Sequence, residues 1–94
     1  MDAESIRQLI KDALEAACMT KGLDAADFSD ETVLHGPGAA LDSLDLVMSI
    51  VEIESRFGEA TGAEVNLADA VALPPEESPL RTLGTLAAHL VASA

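Results

Sequence analysis

Ninety-four residues and 9.7 kDa leave room for one small domain. Seventeen acidic residues against five basic ones give a formal charge of -12 and a pI near 4.1, which argues against nucleic acid and anionic membrane surfaces as partners. At 49% apolar, with a mean hydropathy of +0.26, the chain is too apolar for disorder, and two Phe with no Tyr or Trp favour helix over sheet.

Residues 4–20 carry Ile6, Leu9, Ile10, Ala13, Leu14 and Ala17 at steps of three and four, which predicts an amphipathic first helix. Asp2 is the expected N-cap and Gly22 the expected C′ stop. Residues 22–42 have no sustained period and contain Gly36-Pro37-Gly38, so they read as a long loop. A loop of that length needs anchoring, and Leu23, Phe28, Val33 and Leu34 are its expected apolar pins.

A second helix is expected over 43–57, with Leu46, Ile50, Ile53 and Phe57 on one stripe and Leu44, Val47 and Val51 on another. That arc is wider than one core face needs, so the helix packs on two neighbours, or part of the arc is offered to a partner or covers a ligand, and both can hold. Between Gly58 and Pro79, residues 66–73 form a short helix capped by Asn66 and stopped by Pro74. A final helix over 80–93 carries Leu83, Leu86, Ala87, Leu90 and Val91, starting from Thr82 or from Ser78 with Pro79 at N1. The expected fold is all-α: a small antiparallel bundle of three main helices plus one short helix, residues 1–94 forming a single domain. Its core should hold Ile6, Leu9, Ile10, Leu14, Ile50, Ile53, Phe57, Leu83, Leu86 and Leu90, with Phe28 closing the loop over them.

Little in the chain supports catalysis or metal binding, and the expectation is no enzyme and no metal. His35 and His89 lack a second ligand at i+3 or i+4. Ser43 has no Gly-x-Ser-x-Gly elbow to make it a nucleophile. Cys18 is alone, which removes an internal disulfide and a Cys-based zinc site and leaves a small buried side chain. Asp24, Asp27, Asp30 and Glu31 lack calcium-loop spacing and read as solvated charge. There is no leader-like segment and no apolar run long enough to span a bilayer, so a cytoplasmic protein without membrane insertion is expected.

Asp42-Ser43-Leu44-Asp45 stands apart, at a loop-to-helix boundary. With Asp42 as N-cap, Asp45 falls at N3, where an acidic side chain can reach back as in a capping box. With Ser43 as cap, N3 would be Leu46, which cannot. Asp42 is therefore the expected cap, with Ser43 at N1 and its hydroxyl free. A phosphate ester is electrostatically welcome at such a helix end, although Asp42 and Asp45 partly oppose it.

The run Leu41-Asp42-Ser43-Leu44-Asp45, leading into an acidic and apolar helix that ends at Phe57-Gly58, resembles the acyl carrier protein family. The resemblance covers most of the chain. It implies that Ser43 is esterified with 4′-phosphopantetheine, drawn from coenzyme A by a phosphopantetheinyl transferase. The arm would then hold acyl or aminoacyl groups as thioesters and carry them between enzymes. It also implies a recognition face of Asp42, Leu44, Asp45, Val47, Met48, Val51 and Glu54, meeting basic docking surfaces on loading ligases, synthases and transferases.

Against the fatty-acid carriers, this chain approaches the serine through His35-Gly36-Pro37-Gly38-Ala39-Ala40-Leu41 and carries Met48, Ser49 and Ser55 where those are often acidic. Its 59–79 segment is also long and rich in Gly, Ala and Pro. The expectation is a free-standing monomeric carrier for polyketide, nonribosomal-peptide or special-lipid synthesis. The alternative is a small acidic helical interaction module without a prosthetic group.

Overall fold

The computed structural model describes residues 2–93, the side chain of Pro75 excepted. Four helices follow in order: α1 (Ala3–Thr20), α2 (Ser43–Thr61), α3 (Ala68–Val71) and α4 (Leu83–Ser93). Single 3₁₀ turns occur at Ala25–Asp27 and Pro75–Glu77. The fold is all-α, and the described residues form no strand beyond one antiparallel bridge between Val33 and Thr82. α1 packs against both α2 and α4, and α2 against α3, within a radius of gyration of 11.9 Å, that of a compact globule of this length.

α1 starts and stops on its expected signals. The Asp2 carboxylate accepts the Ser5 N–H at 2.8 Å. At the other end Gly22 takes φ +71°, the Leu23 N–H donates to the Cys18 carbonyl at 2.8 Å and the Gly22 N–H to that of Met19 at 3.3 Å. This crossed pair is a Schellman stop, and it needs the left-handed residue that glycine supplies. Cys18 itself is fully buried.

α2 runs to Thr61, one turn beyond the expected end at Phe57. Gly58 is a tolerated interior residue, and the stop lies at Gly62, whose φ is +75° and whose N–H donates to the Gly58 carbonyl at 2.8 Å. Thr61 reinforces that end by donating to the Phe57 carbonyl and accepting from the Ala63 N–H. Phe57, fully buried, holds the last turns on the core.

The short helix is shorter than the 66–73 expected. Leu67 occupies the N-cap position and Asn66 stands one residue earlier, its Oδ1 accepting the Ala68 N–H at 3.1 Å. α4 begins from Thr82, not Ser78. Thr82 and Thr85 exchange backbone and hydroxyl groups in both directions, at 3.0 and 3.1 Å, a capping box built from two threonines. Ser78 is buried because its hydroxyl donates to the Ala70 carbonyl and accepts the Leu80 N–H.

All ten expected helical core residues are buried. The loop is pinned differently from the expectation. Leu34 and Leu41 enter the core, Phe28 and Val33 are half-buried, and Leu23 is exposed. Backbone bonds do the rest: Leu34 N–H to the Arg81 carbonyl at 2.8 Å, Leu83 N–H to that of Thr32 at 3.0 Å, and Gly84 N–H to that of Asp30 at 3.0 Å. Asp30 also takes a two-pronged ion pair from Arg7 on α1 at 2.8 and 3.1 Å, and Asp24 caps the first 3₁₀ turn, so these two acids are structural rather than only solvated. The 22–42 segment is thereby fastened between α1 and the start of α4, and it delivers Asp42 to the beginning of α2.

Candidate functional site

The site grows from the end of that loop. Buried Leu41 anchors the chain just before the helix, and Asp42 adopts the extended backbone of an N-cap. Its Oδ1 accepts the Asp45 N–H at 2.9 Å. Ser43 is therefore the first helical residue, exposed, and the cap is supplied by its neighbour.

The other half of a capping box is not the role of Asp45. Its carboxylate faces Lys21, whose Nζ lies 3.1 Å from Asp45 Oδ2 and 3.1 Å from Asp42 Oδ2. One ammonium group, just after α1, thus ties both acids of the motif to the loop's other end. The Asp45 backbone N–H, and after it Lys21, hold the Asp42 carboxyl below its ordinary range. Hydrogen bonds to Asp42 and then Asp45 push the Lys21 ammonium up. Lys21 escaped sequence reasoning because it lies 21 residues before Asp42, with no periodic relation to it.

Beside Ser43 the surface dips into a depression of about 370 Å³. Leu34, Leu41 and Leu46 contribute its apolar lining, and His35, Asp42 and Ser43 its polar side chains. His35 is half-buried, with Nε2 at 3.5 Å from the Leu73 carbonyl.

α2 separates its two stripes cleanly. Leu46, Ile50, Ile53 and Phe57 face the core, whereas Leu44, Met48 and Val51 are 69%, 63% and 62% exposed and Val47 44%. A helical step of about 100° per residue places these four on one face that begins next to Ser43. Large apolar side chains gathered this way are unusual on a free surface. Glu54 stands at the edge of that face. It is half-buried, and its Oε2 accepts the Leu67 N–H at 2.8 Å, which fastens the approach to α3.

Among the described residues no group of three or more His, Cys, Asp or Glu is placed to hold a metal ion, and no helix is long and apolar enough to cross a membrane. No protein-family model, curated protein or solved structure matches the chain.

Proposed function

We propose that this chain is a carrier of the acyl carrier protein type, with 4′-phosphopantetheine attached to Ser43, working in a specialised acyl or aminoacyl pathway. The observation that carries the proposal is the exposed Ser43 at the first position of α2, relieved of capping by Asp42 and adjoining an exposed apolar face. The all-α order of three longer helices and one short one supports this reading.

The residues present fit such a group. The Ser43 hydroxyl is accessible, the neighbouring depression offers space for a phosphodiester, and Lys21 offsets part of the local acidity. When bound, the arm supplies a terminal thiol for acyl groups. The protein's own part is presentation. Asp42 orients the first turn, and Leu44, Val47, Met48 and Val51 give partner enzymes an apolar surface to cover. The net acidity of the chain draws basic partner surfaces by long-range attraction, which favours fast encounter and fast release over tight binding.

Incubation with a broad-specificity phosphopantetheinyl transferase and coenzyme A, followed by intact mass measurement, tests this directly. The expected result is the mass gain of one arm, absent in Ser43→Ala. An unmodified wild-type chain would replace the carrier reading with that of an acidic helical interaction module.

A further inference from the structure

The charges around Ser43 do not balance for the group it is proposed to hold. Asp42 and Asp45 share one ammonium, that of Lys21, which leaves one negative charge in excess beside the serine. A phosphodiester on Ser43 adds another. His35 lines the same depression as Ser43 and is the titratable base there. Its Nε2 makes a long contact, 3.5 Å, with the Leu73 carbonyl. Its backbone N–H donates to the Arg81 carbonyl at 3.4 Å, so the residue is held from two directions by the segments flanking the second 3₁₀ turn. At about 370 Å³ the depression lies near the lower end of small-ligand sites, ~300–1,000 Å³, and shares their pattern of apolar lining with a few convergent polar groups.

From this we infer that His35 is a positioning residue for the arm: protonated, it contacts the phosphodiester on Ser43 and restrains the first bonds of the arm against the depression. The inference rests on the carrier reading of Ser43. Asp42 lines the same depression with or without the arm, so only a change on modification reports the contact.

The test is a titration of both histidine rings by NMR on the isotope-labelled chain, before and after transferase and coenzyme A treatment, with modification verified by intact mass. The expected result is a rise of about 0.5–1 unit in the His35 pKa on modification. His89, on α4, serves as the internal reference and should not move. The phosphorus resonance of the modified chain should titrate with the His35 midpoint and lose that inflection in His35→Gln, which leaves Ser43 in place. Complete modification with an unmoved His35 would overturn the inference and leave the carrier reading intact. An equal rise on adding inorganic phosphate to Ser43→Ala would also overturn it, by showing a free-anion site. Failure to modify the wild-type chain would remove the carrier reading itself, and the inference with it.

Discussion

Asp42 and Ser43 are neighbours with opposite jobs, and substitutions should separate them. Ser43→Ala removes an exposed hydroxyl that caps nothing, so its thermal midpoint should match the parent's, and on the carrier reading all modification should be lost. Asp42→Ala removes both the cap and a Lys21 contact and should lower the midpoint clearly. Asp42→Asn keeps a capping oxygen and loses only the charge, so it should fall between them. The sign of the pH dependence follows from the direction of the shift. The Asp42 carboxyl titrates below its ordinary 3.8 in the folded chain, so its stabilisation is complete above 3.8 and disappears as pH falls through the lower folded value. The gap between the parent and Asp42→Asn in unfolding experiments should therefore stay constant from neutral pH to about pH 5 and close in stronger acid. A gap that persists in strong acid would show that the carboxylate charge has no part in it.

Among the helices, two glycines predict changes of opposite sign. A Cβ on Gly84 in α4 would lie 2.8 Å from Asp30 Cβ and 2.9 Å from its carbonyl oxygen. The Gly84 N–H is bonded to that same carbonyl, so helix and loop approach backbone to backbone. Gly84→Ala should destabilise by about 1–3 kcal/mol despite the better helix propensity of alanine, because the loop must move. A Cβ on Gly58 in α2 meets only the Ala63 carbonyl, at an ordinary 3.7 Å. Gly58→Ala should stabilise by about 0.5–1 kcal/mol. Urea unfolding of the two variants checks both signs at once. The end of α2 escaped a reading from local residue types for the same reason that Gly58 is tolerated. Buried Phe57 and the Thr61 and Gly62 bonds outweigh one unfavourable residue, and only packing reveals them.

For the whole molecule, α2 carries a buried face and an exposed apolar face, and the two should respond separately. Ile50→Ala and Phe57→Ala remove fully packed side chains and should cost about 2–5 kcal/mol, a large share of the total in a domain of this size. Leu44→Gln and Val51→Gln change exposed positions and should stay within about 0.5 kcal/mol of the parent. If that face receives the transferase and the loading enzymes, the same two substitutions should slow arm transfer. Added salt should slow transfer to the parent chain too, since attraction between exposed charges is screened beyond about 8–10 Å. Slowed transfer by Ile50→Ala alone, with both exposed substitutions neutral, would move recognition away from α2.

Periodicity by itself determined the three long helices and the ten helical residues of the core, because each helix buries one apolar stripe away from water, whereas the short helix was read from Asn66 and Pro74 and came out shorter. Asp42 as cap and Ser43 as the first residue of α2 were equally legible, since capping depends on side chains within three residues of one another. What the tertiary structure alone decided are the contacts between segments far apart in sequence. Lys21 reaches both acids of the motif, Arg7 holds Asp30, and Glu54 secures Leu67. His35, in the depression beside Ser43, is likewise held by distant Leu73 and Arg81. The second stripe of α2 also stayed undecided until the neighbours of that helix were in place, because an apolar residue is equally suited to a core and to a partner's surface. Only the arrangement of α1 and α3 around α2 left Leu44, Val47, Met48 and Val51 facing outward.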